Sequence, residues 1–491
     1  MGPSDSAVAR SVESPRFSLS TQAPASSEEA RNLVRDLAAD ADEVLKVTGS
    51  LCPDCVAEER FDDPVVPMVV YEAEDEIRLA KRCEEHGVTR DVYWSDAEMY
   101  RRAREWAEWD DHLDTVHETP DGPIQCPTDC GLCPMHKSHT GLGNITVTNR
   151  CDLSCWYCFF YAQEDDPIYE PTKAQIREMV RRTAEEEPIG TNAIQLTGGE
   201  PTLRDDLVEI VEIAREYVDH VQLNTHSGIL AGDVDRVFFF NDTATTEIYT
   251  SFDGVDPAVN SKNYWEMSEA IRTYREAGIG TVLVPTISGT NVDQIGDIVR
   301  FGAANSDVVR GVNFQPVSLV GRMPKSQREK QRVTIPDVIH ALEAQTDGAV
   351  PADAWHPIPT VLPISRFAET WNGSPLYELS NHFACGMATY VYLDGDDLVP
   401  ITDFLDVDAF MHALDEIADR FDSPLSRVEK TRVGARLAWE LHRAVDREAE
   451  PDDVRLGRWL REALTQGTYE GLVEFHRNAR FLGIMHFQDP Y

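Results

Sequence analysis

From residue 144 to residue 320 short runs of β-branched and aliphatic residues alternate with longer amphipathic stretches. The short runs predict strands over 144–148, 193–196, 221–224, 247–252, 281–285 and 312–315. Between them, apolar positions recurring every three to four residues predict helices, clearest over 172–187, 205–217, 262–277 and 292–304. Six successive strand–helix units argue for an α/β fold in which a parallel sheet curls into a partial (β/α)6 TIM-like barrel. In such a sheet the chemistry belongs at the C-terminal ends of the strands.

The flanks read differently. Residues 1–50 are expected to hold a disordered leader, rich in Ser, Ala and Pro, and a short helix. Residues 51–95 carry β-like runs at 65–71 and 77–80 between two cysteine knuckles, and form a zinc-ribbon-like module. A helix over 96–112, with Trp106 and Trp109 on one face, leads through a Pro/Gly loop to the barrel at 144–320. Residues 321–406 read as loop and helix with a short strand pair near 389–401, and 407–491 as a largely helical region.

Charge narrows the setting. The chain carries 45 Lys+Arg against 86 Asp+Glu, a formal net charge of −41, and only eight of the cations are Lys. Self-repulsion at that charge is costly in dilute buffer, whereas at ~1 M salt the Debye length falls to ~3 Å. The composition therefore fits a halophilic, cytoplasmic protein. It also disfavours a nucleic-acid partner, since no basic track is present to meet a phosphate backbone. No run is long and apolar enough to predict a transmembrane segment, although peripheral membrane contact stays open.

Ten cysteines fall into groups whose spacing suits metals better than disulfides. The sharpest is Cys151-Asp-Leu-Ser-Cys155-Trp-Tyr-Cys158, directly after the first barrel strand. Three thiolates can hold three irons of a 4Fe–4S cluster and leave the fourth without a protein ligand. At the end of the second strand stands Leu196-Thr-Gly-Gly-Glu200-Pro201, where a Gly pair permits close approach and Glu200 could accept from an ammonium group. A structural zinc site beside an ordinary Gly-Gly turn is the blander reading. The second triplet, Cys126-Pro-Thr-Asp-Cys130-Gly-Leu-Cys133, lies in a loop before the barrel. With distant Cys385 it would ligate an auxiliary 4Fe–4S cluster; a zinc ion on the same four residues, or Cys385 as a buried core thiol, are the alternatives. Cys52 and Cys55 with Cys83 and His86 have the spacing of a tetrahedral zinc (or mononuclear iron) site, unless His86 is a plain surface histidine.

The Cys151 and Gly198–Glu200 motifs in this barrel context resemble the radical S-adenosylmethionine (SAM) superfamily. The resemblance implies that the open iron binds SAM, and that reduction releases a 5′-deoxyadenosyl radical which abstracts hydrogen from an unactivated C–H bond. It makes Cys151, Cys155 and Cys158 the cluster ligands, and places Tyr157 at the adenine. It assigns Gly198, Gly199 and Glu200 to the methionine ammonium, and Asn224, Ser251 and Asp253 to the carboxylate and ribose. An electron donor such as ferredoxin or flavodoxin is implied. The order of ribbon, Cys-Pro-x-Asp-Cys-Gly-Leu-Cys loop and Val-Thr-Asn-Arg-Cys151 motif is similar to a branch holding archaeal tetraether lipid synthases and dihydro-hydroxymethylpterin methyltransferases. The first reading is C–C bond formation or methylation on an isoprenoid lipid; the alternative is methyl transfer to a pterin ring. Thr140-Gly141-Leu142 stands where a lipid-coupling relative would carry a further cysteine, which weakens the lipid reading. A non-catalytic iron–sulfur and zinc scaffold is the remote alternative, and would predict erosion of these cofactor positions. A substrate chamber walled by Trp355, Phe367 and Trp371 is expected beside the cluster, to keep a radical from water.

One segment, 238–250, stands apart, although its end at 247–250 passes as strand by its β-branched and aromatic content. Phe238-Phe-Phe240 followed by Asn241-Asp-Thr-Ala-Thr-Thr-Glu-Ile-Tyr-Thr250 looks like a reading frame of a common sequencing-library adapter; an unusual apolar insertion or a substrate-facing loop is the innocent reading. Three consecutive phenylalanines match no amphipathic helical face.

Overall fold

The computed structural model describes residues 27–58, 60, 65–107, 138–160, 162, 166–187, 189–242, 245–319, 325–376, 378–395, 397–421, 425–451, 454–466 and 479–486. The N-terminal module is a four-stranded antiparallel meander, β1 (Glu43–Leu51), β2 (Val65–Ala73), β3 (Glu76–Cys83) and β4 (Gly87–Trp94). A helix at Ser27–Leu37 covers one face of it, packing Leu33 and Leu37 against Val69, Tyr71 and Ala80. Strand β1 lies in the stretch expected to be leader and short helix; its Lys, Thr, Gly and Ser positions hide the alternation until β2 pairs with it. The expected helix over 96–112 is described as Ala97–Arg104, capped by the Asp96 carboxylate on the Met99 N–H. Trp109 lies outside the described residues, while Trp106 stacks on His412.

All six expected barrel strands form. They are β5 (Gly143–Thr148), β6 (Ala193–Gly198), β7 (His220–Thr225), β8 (Thr245–Ser251), β9 (Thr281–Val284), a short β10 (Thr286–Ile287) continuing its line, and β11 (Val309–Pro316). The order β5-β6-β7-β8-β9-β11 is sequential and parallel throughout. Alternation explains which face meets the helices. Ile145, Val147, Ile194, Leu196, Val221, Leu223 and Ile248 pack outward on Ile176, Val180, Ile210, Ala270 and Tyr274. The intervening residues of β5, β6 and β7 are Asn144, Thr146, Gln195, Thr197, Gln222 and Asn224, so the inner face is polar.

Beyond β11 the sheet continues: the strand pair expected near 389–401 forms as β13 (Gly386–Asp394) and β14 (Asp397–Pro400), and one more strand, β15 (Ala479–Met485), comes from the stretch read as largely helical. β15 joins β11 in parallel, and β13 pairs antiparallel with β15, flanked by β12 (His356–Pro357) and β14. The short Phe-Leu-Gly-Ile-Met run of β15 carries no local signature; a pairing some 170 residues distant along the chain makes it a strand. Gly311 admits it, because a Cβ there would sit 2.4 Å from the Phe481 carbonyl oxygen. Among the described residues of the C-terminal region, the helices Val407–Arg420, Arg427–Ala444 and Leu456–Gln466 pack around Phe410, Leu414, Leu437 and Trp459. The N-terminal meander shares one core with the late barrel, where Met68, Trp94 and Tyr100 join Val338, Trp355 and Phe383.

Candidate active site

Two sites emerge, one in the meander and one at the barrel mouth. In the first, Cys52, Cys55 and Cys83 are buried, and the His86 Nδ1 atom lies 3.5 Å from each of their three sulfurs. The Cys55 and Cys83 sulfurs are 3.8 Å apart. A tetrahedral ion with ~2.3 Å bonds to sulfur and ~2.0 Å to nitrogen needs edges of about 3.8 and about 3.5 Å, so these four residues fit a metal. Glu58 meets the other ring nitrogen, His86 Nε2, at 3.3 Å and orients the imidazole. His86 is thus part of the cluster of donors and not a bystander.

At the barrel mouth a cavity of about 290 Å³ is lined by all three cysteines of the second site, Cys151, Cys155 and Cys158. The loop carrying them is seated by the glycine pair. A Cβ on Gly198 would lie 1.9 Å from the Thr148 carbonyl oxygen, and one on Gly199 would lie 2.2 Å from that of Arg150. The Gly199 and Glu200 N–H groups donate to these same oxygens at 2.8 and 2.7 Å. The glycines therefore bring the chain leading into Cys151 onto the end of β6, beyond any role toward a ligand. Burial pushes the Cys151 thiol up to about 11, and raises that of Cys155 against the opposing charge of Lys262. Half-buried thiols sharing one cavity give up their protons to a metal centre, and the donor set fits an iron–sulfur cluster.

Of the expected cofactor residues, Tyr157, Gly198, Gly199, Asn224 and Ser251 line this cavity. Glu200 and Asp253 do not line it. The fully buried Glu200 carboxylate accepts from the Thr202 N–H at 3.0 Å, the Thr202 and Thr225 hydroxyls at 2.5 and 2.7 Å, and the His226 N–H at 2.9 Å. Three of these bonds fall on Oε1 and one on Oε2, and together they join the ends of β6 and β7. Asp253 accepts from the Tyr157 hydroxyl, from the Thr286 N–H at 2.9 Å and from Lys262 Nζ at 3.4 Å. It fixes the tyrosine from behind, and Lys262 Nζ stands 5.0 Å from the centre of the Tyr157 ring.

Several residues were missed by the sequence reading. The Gly228 N–H donates to His226 Nδ1 at 3.1 Å, so Nε2 carries the hydrogen and donates to Asp152 at 2.7 Å, beside Cys151. Asn263 bridges the carbonyls of His226 and Ser251 at 2.7 and 2.6 Å, holding the ends of β7 and β8 in register. The only sequence signals were the place of His226 directly past β7 and of Asn263 directly before the helix Tyr264–Ala277.

The expected chamber wall is a correction. Trp355 is fully buried in the core shared with the meander, and Phe367 stacks on Trp371 among the C-terminal helices. None of the three lines the cavity, because each ring packs against another element of the fold. Its apolar wall comes from the cysteine loop itself, through Leu153, Phe159 and Phe160.

Cys126, Cys130 and Cys133 lie outside the described residues. Cys385 sits at the start of β13, where its carbonyl accepts the His486 N–H at 2.9 Å. Among the described residues no helix is long and apolar enough to cross a membrane.

Comparison with known proteins agrees with both sites. Residues 145–302 match the model of the radical SAM superfamily, and residues 44–95 that of the HMPTM N-terminal zinc ribbon domain. The chain is 36% identical over 458 residues to the 7,8-dihydro-6-hydroxymethylpterin dimethyltransferase of Methanocaldococcus jannaschii, covering 91% of this chain and 88% of that one. It is 28% identical over 182 residues to a probable GTP 3′,8-cyclase of Pyrococcus abyssi, covering 35% of this chain and 56% of that one. The solved structure of Streptococcus suis SuiB bound to S-adenosylmethionine aligns at a TM-score of 0.36 and 18% identity, covering 43% of this chain and 48% of that one. The chain is a radical SAM enzyme and belongs to the family of the 7,8-dihydro-6-hydroxymethylpterin dimethyltransferase.

Proposed function

We propose that this enzyme methylates the ring of a reduced pterin. The observation that carries the reading is the full-length identity with a pterin dimethyltransferase, which moves the pterin substrate, placed second on sequence grounds, ahead of the isoprenoid lipid. The cavity supports the same order. Asn144, Thr146, Gln195, Thr197 and Gln315 line it, and an apolar lipid chain would strip water from these groups without replacing its hydrogen bonds. Each group left unsatisfied costs roughly 1–3 kcal/mol.

In this reading Cys151, Cys155 and Cys158 hold the cluster, whose chemistry with SAM is reductive cleavage to a 5′-deoxyadenosyl radical. Tyr157 would face the adenine, its hydroxyl anchored by Asp253. Gly198 and Gly199 would present backbone atoms to the ammonium group, with Glu200 fixing that turn from beneath. Asn224 and Ser251 would meet the carboxylate and ribose. Leu153, Phe159 and Phe160 would exclude water from the reacting atoms.

An auxiliary cluster on Cys126, Cys130, Cys133 and Cys385 remains part of the proposal, supported by one anchor. Ser138 Oγ donates to the Ser380 carbonyl and the His139 N–H to Ser380 Oγ at 2.8 Å. Cys133 and Cys385 each stand five residues from that junction, within ~17 Å of extended chain. Zinc is the metal proposed for the N-terminal site, a ferredoxin or flavodoxin the electron donor, and the cytoplasm the location. The test is a deletion strain whose pterins and membrane lipids are compared by mass spectrometry. Loss of methylated pterin with intact lipids is expected; intact pterins with altered tetraethers would overturn the substrate.

A further inference from the structure

The polar inner face of the barrel has a chemical specificity of its own. Asn144 on β5 and Gln315 on β11 come from the first and last of the six parallel barrel strands, yet both line the one cavity that also holds the cysteines. Neither side chain has a hydrogen-bond partner among the described residues. Gln195 on β6 lies between them on the cavity wall and is 9% exposed; its amide donates to Gln222 Oε1 at 3.3 Å, which leaves its own Oε1 and a second N–H to spend. Thr146, two residues along β5, adds a hydroxyl that can donate or accept.

We propose that Asn144, Gln195 and Gln315 form the subsite that reads the hydrogen-bonding edge of the pterin ring. The assignment rests on the pterin reading above and names the residues that would enforce it. A carboxamide presents a donor and an acceptor side by side, and so pairs bidentately with a ring edge that offers the complementary couple, as Asn and Gln do with adenine. The aminopyrimidinone half of a pterin carries two such edges. Three amides on strands, not on loops, keep fixed positions, which is what discrimination by hydrogen bonding needs. A site of this kind rejects analogues that lack the matching groups far more strongly than an apolar slot can. The cysteine loop and the amides line a single cavity of about 290 Å³, so a ring held at the amides would stand inside reach of the cofactor positions.

The test uses the full-length protein with its clusters reconstituted anaerobically, in wild-type form and as Gln315→Leu and Asn144→Leu. These two variants sit on opposite edges of the parallel set, and iron content and the unfolding midpoint confirm that each is folded. Equilibrium binding of 7,8-dihydro-6-hydroxymethylpterin and of SAM is measured for all three. Each variant is expected to weaken pterin binding by about tenfold to a hundredfold, with a change in the SAM Kd below about threefold. Unchanged pterin binding in both variants would overturn the subsite. So would weakening confined to SAM, which would assign the amides to the adenine. Failure of the wild-type protein to bind the pterin would sink the substrate reading itself, and this assignment with it.

Discussion

The buried carboxylate of Glu200 accepts the backbone N–H of His226 at 2.9 Å, and this hydrogen bond ties the end of β6 to the end of β7 beneath the cysteine loop. The same histidine reaches Asp152 with its Nε2–H, next to Cys151. Glu200 thus braces the turn that carries Gly198 and Gly199, whatever else it contacts there.

Replacing Glu200 should therefore act first on the fold. Glu200→Ala leaves the N–H groups of Thr202 and His226 and two threonine hydroxyls without their acceptor. A loss of roughly 3–5 kcal/mol is expected by chemical denaturation, with SAM binding lost as well. Glu200→Ala with wild-type stability would remove the bracing role.

The meander site predicts a separable metal. Cys52→Ser should lose one metal equivalent per chain by elemental analysis, retain the iron of the barrel site, and unfold the N-terminal module more readily, since a structural metal contributes folding energy directly. The metal lost identifies the site as zinc or mononuclear iron.

Cys385→Ala and Cys130→Ala should each remove about one cluster of iron and sulfide, while Cys151→Ala should remove a different one and abolish SAM cleavage. Full retention of iron and sulfide in Cys385→Ala would discard the auxiliary cluster.

Salt should stabilise the protein. With a net charge of −41, the thermal midpoint should climb steadily as KCl is raised from ~0.1 M to ~2 M, as screening removes carboxylate repulsion. A flat profile would refute the halophilic reading.

The segment 238–250 predicts its own anomaly. Phe238 and Phe239 are 56% and 53% exposed on their helix, and burial pushes the Glu247 carboxyl from 4.5 up to about 7 with only the Arg310 charge opposing. Because the folded chain holds that proton more tightly than the unfolded one, stability should fall as pH rises from about 4.5 through about 7, and Glu247→Gln should flatten the fall. A natural barrel strand has little reason to carry that penalty. Resequencing the locus from genomic DNA is expected to return a different stretch; the same codons would establish the segment as native.

The barrel was legible because its signals are local: apolar runs at strand length, amphipathic helices between them, and cysteines at fixed spacing just past the first strand. β1 was not, because its Lys, Thr, Gly and Ser positions hide the alternation, and β15 was not, because it becomes a strand through partners remote in sequence, with Gly311 marking the contact only once Phe481 is beside it. A place at the cavity was legible for Cys151 and Tyr157, on the loop after the first barrel strand, and for Asn224, at the end of the third, and all three line it. Side-chain direction was not. Glu200 and Asp253 are acidic residues in the right stretch of chain, and only the neighbouring Thr225, His226, Tyr157 and Thr286 show that both turn inward.

The most direct test of the account is the formation of 5′-deoxyadenosine by the reconstituted protein with SAM and dithionite under anaerobic conditions, with and without 7,8-dihydro-6-hydroxymethylpterin. The account predicts that 5′-deoxyadenosine is formed, that the pterin accelerates its formation, and that a methylated pterin accumulates once a methyl donor is supplied. No acceleration by the pterin, with acceleration by an archaeal isoprenoid lipid in its place, would contradict it.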